Sequence, residues 1–229
     1  HAAFKCAWPT NLLLGVIGCL AFQGGPLWWA SKHRAHHRFC DADKRDPHSP
    51  LLMGPTNAFI FFLTGDTPHD RWRMQAVDED FAPPHCDSRG MRLVDSFSWL
   101  WPLLEWRAAL WTFGMPGLWA SFTSSWLAQA ICLWFNVRNH IPHEHTPAKT
   151  RCTAVDTVVP GGGADCLYFA ALGKFSALLA PIVGEASHKH HHDHPALARR
   201  PGGVDIPYAV CAALEAAGLV WSVKLSAAL

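Results

Sequence analysis

The sequence predicts an all-α, integral-membrane helical protein in which a transmembrane hairpin carries a histidine-rich domain on one side of the bilayer, all within one domain, 1–229. Three observations predict this. Half of the residues are apolar and only 16% are charged, an oilier balance than that of an average soluble domain. The stretch from Ala108 to Val137 carries no charge and is split in the middle by Gly114-Met115-Pro116-Gly117. Fifteen histidines include two triplets, His33/His36/His37 and His188/His191/His192. Each is spaced i, i+3, i+4, which puts three imidazoles on one face of a helix. A fold that presents two such faces to each other can hold metal between them.

The elements follow in order. The chain opens with histidine and shows no signal peptide, as expected of a fragment or of a chain whose upstream part was left out. Cys6 to Ser31 is uncharged and long enough to span a bilayer, which takes about 20 apolar residues; a buried or in-plane helix is the other reading. Gly24-Gly25-Pro26 breaks a helix near the end of that run. Asp41 to Arg92 reads mostly as polar loop, punctuated by Asp46-Pro47 and Pro83-Pro84, with a short apolar patch from Ala58 to Leu63. The hairpin, about 97–137, has two halves, Phe97–Met115 and Leu118–Asn136, each near the spanning minimum. Glu105 and Arg107 fall in the first half, where charge is costly in lipid; they pair with each other or face protein. Arg138 to Asp165 is polar and closes in Gly161-Gly162-Gly163, a loop that lacks the Lys-Ser/Thr of a phosphate-binding loop. Cys166 to Val183 and Ile206 to Val223 read as amphipathic or interfacial helices, the second starting at Pro207.

Charge and cysteine usage exclude several classes. A formal charge of +1 with no basic stripe argues against nucleic acid as a partner. None of the eight cysteines shares a C-x-x-C spacing, so zinc-ribbon and thioredoxin readings fail. Twelve tryptophans suit the interfacial belts of membrane proteins. Lys32, Arg34, Arg38, Arg138, Arg199 and Arg200 gather beside the histidines and place them on the cytoplasmic or equivalent side. A two-span hairpin returns His140 to the side of His37.

Imidazole suits iron, zinc, copper and nickel, and the carboxylate-rich template of soluble di-iron bundles does not match these histidine-only clusters. Three stretches carry a resemblance. Gln23-Gly-Gly-Pro-Leu-Trp-Trp29 leads to His33-Arg-Ala-His-His37 and then to Asp46-Pro-His-Ser-Pro50. Gly184-Glu185 leads to His188, His191-His192 and Pro195. Asn136 stands four residues before His140. Together these resemble the integral-membrane fatty-acid desaturases, of the acyl-CoA (stearoyl-type) delta-9 group and its bacterial and algal relatives. That family carries the boxes H-x-x-x-x-H, H-x-x-H-H and H-x-x-H-H. Lys189 and His190 replace two asparagines common in the third box, and His190 faces away from His188 and His192. His1-Ala-Ala-Phe4-Lys5 resembles the end of the first box, and the resemblance implies that the box's first histidine and the first, N-terminal pair of membrane spans lie upstream of this chain.

The resemblance implies metal ligands at His1, His33, His36, His37, His140, His188, His191 and His192, with Asn136 reaching the metal through water. Glu185, three residues before His188, can orient an imidazole; Asp41, Asp43 and Asp46 are candidates for the same task. Trp28 and Trp29 are candidate lining for the substrate. His48, His69, His85, His143, His145 and His194 read as ordinary loop histidines. The implied cofactors are two iron ions (Fe2+/Fe3+), with dioxygen as co-substrate. The implied reaction inserts a cis double bond, delta-9 by the resemblance, into a saturated chain carried as acyl-CoA or acyl-lipid. The cysteines lack ferredoxin spacing, so the electron donor is a separate partner, cytochrome b5 or ferredoxin with its reductase. The implied location is the endoplasmic reticulum, plastid or bacterial inner membrane, in contact with membrane lipid. The alternatives are a related membrane di-iron hydroxylase and a non-catalytic histidine-rich metal-binding membrane protein.

Overall fold

The structure, a computed structural model, describes residues 1–41, 45–60, 77–140, 152–156, 178–201 and 204–225. Asp43, His69, His143, His145, the glycines 161–163, the end of the apolar patch near Leu63 and the first part of the run from Cys166 lie outside them. The described residues are mostly helical and fall into two units, one formed by His1–Ala7 with Phe135–Leu229 and the other by Trp8–Trp134.

The uncharged run from Cys6 to Ser31 holds parts of two helices, both in the second unit, which corrects the single-span reading. Helix α1, Trp8–Cys19, rises only about 18 Å at about 1.5 Å per residue, against a hydrocarbon core of about 30 Å. The chain then reverses through Phe22 and Gly24, both with positive φ, a conformation that glycine adopts without strain. Helix α2, Pro26–Phe39, starts on a proline, whose missing N–H is no loss in the first turn. The described part of Asp41 to Arg92 is also more helical than the polar-loop reading expects. It contains α3, Pro50–Met53, α4, Pro55–Phe59, and the first half of α5, Arg89–Ser96. Ser49 and Ser88 start α3 and α5 by accepting the N–H groups of Leu52 and Met91, each at 3.1 Å. Met91 and Val94 of α5 form a buried core with Cys19 and Leu27. A second core joins Trp28 to Leu133, flanked by Trp29, Met53, Phe59 and Val77.

The hairpin is present as a helical run, α6, Leu100–Arg138, broken at Gly114 (φ 68°, ψ −159°). The glycine stands where the sequence placed the turn. The two halves fold back on each other. The Ser121 hydroxyl donates to Glu105 Oε1 at 2.6 Å, and the Trp106 ring meets Phe122 edge-on at 5.1 Å between centroids. Gly117 has no room for a side chain, since a Cβ there would overlap the Ala109 carbonyl and Phe113. Glu105 therefore faces protein. At the tip Trp111 is 86% exposed, Phe113 72% and Trp119 60%. Among the described residues no helix is long and apolar enough to cross a membrane.

In the first unit, strand β1, Lys5–Cys6, pairs antiparallel with β2, Val220–Trp221. Lys224 donates its N–H to Ala3 at 2.8 Å and accepts that of Ala198 at 2.7 Å. Residues 178–183 are helical. A 3-10 turn, Glu185–Ser187, passes into α7, His188–Asp193. The apolar run expected as one helix from Ile206 to Val223 stops early. Helix α8 covers Ile206–Ala216, because Gly218 turns left-handed (φ 70°) and the Leu219 N–H closes on the Leu214 carbonyl at 2.9 Å. This is a glycine helix stop, and the residues beyond it become β2.

Candidate metal centre

Helix α2 carries His33, His36 and His37 in its second half. His36 and His37 lie in its last turn, where the negative end of the helix dipole favours a cation. His33 Nε2 and His37 Nε2 lie 3.0 Å apart, and the Trp29 ring packs on His33 at 4.5 Å between centroids. His36 is completely buried, and its Nδ1–H is accepted by both oxygens of Asp46, at 3.0 and 2.9 Å. A carboxylate on Nδ1 fixes the tautomer and leaves Nε2 for a metal. Asp46 is itself held by the N–H groups of Asp41 at 2.8 Å and His48 at 3.2 Å, and Asp41 in turn accepts the Ser49 hydroxyl. Burial pushes the Asp46 carboxyl up to about 7, against the opposing effect of those backbone bonds. His48, read from the sequence as a loop residue, is buried and packs its ring, tilted, against His36 at 4.3 Å between centroids. The available signal was its place in the Asp46-Pro-His-Ser-Pro50 flank.

The other unit builds its set from α7 and the end of α6. His188 Nδ1–H is accepted by Glu185 Oε2 at 2.7 Å, which leaves His188 Nε2 facing His140 Nε2 at 3.1 Å. His192 completes this cluster, its ring 4.7 Å from His188 and 5.0 Å from His140. His1 and His191 form a second, edge-on pair at 5.3 Å. Asn136 is buried in the last turn of α6, and the Asn139 amide donates to the Glu185 carbonyl at 3.4 Å. Burial opposes ionisation of Glu185, but the hydrogen bond from His188, with the Arg200 charge beside it, holds its carboxyl below the ordinary range. Burial, then the Arg200 charge, pushes His191 down to about 3, so its imidazole is neutral, as a ligand must be. His190 turns instead towards His194, 4.8 Å away.

Trp28 is 3% exposed and belongs to the core with Leu133. The Trp29 indole N–H is spent on Gln23 Oε1 at 2.9 Å. A cavity of about 390 Å³ lies between the turn after α1 and the hairpin, lined by residues that include Leu20, Glu105, Ser121 and Ser125; neither tryptophan lines it.

These donors fit a metal. Two nitrogens held about 2.0–2.1 Å from one ion at a right angle lie about 2.9 Å apart, close to the spacing of the His33–His37 pair and of the His140–His188 pair. His36 and His188 have their outer nitrogens committed to carboxylates.

No family model matches the chain, but curated proteins do. The palmitoyl-monogalactosyldiacylglycerol delta-7 desaturase of Arabidopsis thaliana is 53% identical over 51 residues, which is 22% of this chain and 14% of that protein. Delta-9 acyl-lipid desaturase 1 of the same plant is 48% identical over 50 residues, 22% of this chain and 16% of its own length. The hex-5-enoyl-[acyl-carrier protein] acetylenase of Moorena producens is 23% identical across the whole of this chain and 70% of its own length.

Proposed function

We propose that this chain, a relative of the fatty-acid desaturases, itself desaturates an acyl chain. Two hydrogens leave adjacent methylenes, two electrons and two protons enter from a donor, and dioxygen leaves as two waters, with a cis double bond remaining. Position nine is the first to test. The observation that carries this reading is the arrangement of imidazoles in both units: outer nitrogens taken by Asp46 and Glu185, inner nitrogens paired at metal-ligand spacing. His33, His36 and His37 from one unit, and His1, His140, His188, His191 and His192 from the other, supply the ligands of two irons, with Asn136 acting through water. When bound, the iron supplies the oxidising power that unactivated methylenes require, because they offer no acidity for general base chemistry. The protein's part is to keep the imidazoles neutral and oriented. Trp28 and Trp29 belong to the wall that orients the substrate, acyl-CoA or acyl-lipid, and cytochrome b5 or ferredoxin with its reductase delivers the electrons. The hairpin enters membrane lipid tip first, with the histidines on the cytoplasmic or equivalent side. The bare Trp111, Phe113 and Trp119 rings at an uncharged tip support this, since exposed apolar patches mark interaction sites.

The deciding experiment is the fatty-acid profile of a desaturase-deficient host expressing this chain beside a His188→Ala control. We expect a new monounsaturated acid, absent from the control, whose bond position is then read directly. A hydroxylated acid, or an unchanged profile from protein that carries its iron, would sink the reading.

A further inference from the structure

The amino end of the histidine helix is held by a residue that the reaction does not involve directly. The first helical residue of α2 is Pro26, which has no N–H, and its N-cap, Gly25, has no side chain to offer. Two donors at this end therefore need an outside partner, the N–H groups of Leu27 and Trp28. A single oxygen satisfies both: Asp95 Oδ1, from α5, accepts them at 2.8 and 3.0 Å. Asp95 is only 5% exposed. It is delivered to this spot by its neighbour Val94 and by Met91, which seat α5 on the core shared with Leu27. Gly25 has an ordinary extended conformation (φ −83°), so its glycine is not required by the backbone angle. It is required by space, since a Cβ there would overlap the Asp95 carboxylate and crowd its Cα.

We propose that Asp95 is a positioning residue for the metal site: by clamping the Leu27 and Trp28 N–H groups at the start of α2 it fixes the axial position and rotation at which His33, His36 and His37 are presented. This rests on those histidines being ligands, as argued above. A helix moves as a rod, and Trp28 lies only five residues before His33. The clamp and the ligands therefore share one rigid segment, with the carboxylate at the positive end of the helix dipole and the imidazoles towards the other.

The test is a cobalt(II) titration of the purified full chain, read by its visible absorption, together with hydrogen exchange of the α2 amides. Asp95→Asn keeps an acceptor at Oδ1, Asp95→Leu removes it, and Gly25→Ala displaces it. We expect Asp95→Asn to match the natural chain within about threefold. We expect Asp95→Leu and Gly25→Ala to weaken cobalt binding about tenfold or more, the scale seen when residues supporting a metal ligand are lost, and to lose protection at the start of α2. Natural-strength binding and an unchanged spectrum in Asp95→Leu would overturn the proposal. An Asp95→Asn chain as defective as Asp95→Leu would also overturn it, by showing that charge and not the acceptor matters. If Asp95→Leu does not fold, natural-strength binding in folded Gly25→Ala overturns it equally. Cobalt binding that follows Asp95 in a chain that makes no unsaturated product would sink the proposed reaction and leave this inference standing.

Discussion

The two histidine helices share a spacing and differ in almost everything that holds them. Helix α2 spans Pro26–Phe39 and buries Leu27, Trp28, Ser31 and His36 along its length. Helix α7 spans only His188–Asp193, with His188 its one buried residue. Six residues are too few to be stable alone, so α7 depends on polar partners. Glu185 in the preceding turn bonds His188, and Asp156 accepts the Lys189 N–H at 2.9 Å from a position that is itself exposed. The same i, i+3, i+4 face is thus presented once by a packed core and once by a hydrogen-bonded bracket. Spacing alone shows which imidazoles share a face, but the surroundings decide how firmly that face is held.

Substitution of a ligand should hit both helices equally hard. His36→Ala and His188→Ala should each abolish product and lower the iron content of the purified chain, measured per chain by elemental analysis. Retention of full iron in either would break the parity between the two sets. One step outward the helices should diverge. Asp46→Ala and Glu185→Ala should both weaken metal binding by roughly 10- to 100-fold. Only Asp46→Ala should also lower the melting temperature of the metal-free chain strongly, because it strands the buried N–H groups of Asp41 and His48 at a cost of about 1–3 kcal/mol each. Equal melting temperatures would show that the core does not distinguish the two sets.

A pH series sharpens the comparison further. The native state of the metal-free chain resists protonation of His191 down to about 3, whereas the unfolded chain takes up that proton near the ordinary histidine value of about 6.5. The unfolded state therefore binds more protons below about 6.5, and stability falls as pH is lowered from there towards about 3. His191→Gln should flatten this acid-side slope in melting experiments from pH 7 to 5, and an unchanged slope would place its origin elsewhere. The smallest effect belongs to the exposed bracket. Asp156→Ala should cost about 0.5–1 kcal/mol, the value of an ordinary helix cap, measured by denaturant unfolding.

Local features were legible in the sequence because their physics is local. The two triplets, the Gly114 break and Glu185 three residues from His188 all follow from helical geometry over a few positions. Gly218, equally local, was legible in principle as a helix stop, yet the apolar run through Val223 masked it. Asp46 showed as one of three acids that could orient an imidazole and as the start of the Asp46-Pro-His-Ser-Pro50 flank; that it takes His36 depends on tertiary placement that local spacing does not specify. Asp95 could not be read at all. It stands 68 residues from Leu27, on a helix of eight residues, and its role exists only once α5 has docked.

The pairing of Lys5–Cys6 with Val220–Trp221 has a consequence for the order in which the molecule is made. Chains leave the ribosome at about 5–20 residues per second, so roughly ten to forty seconds separate the emergence of these two strands. The unit Trp8–Trp134 is complete in the meantime. The segment that bears His1 must wait, unpaired in this ladder, until Val220–Trp221 has been translated. Loss of Val220–Trp221 would therefore be felt far away in sequence, because it leaves Lys5–Cys6, and with it the segment that bears His1, without its partner strand.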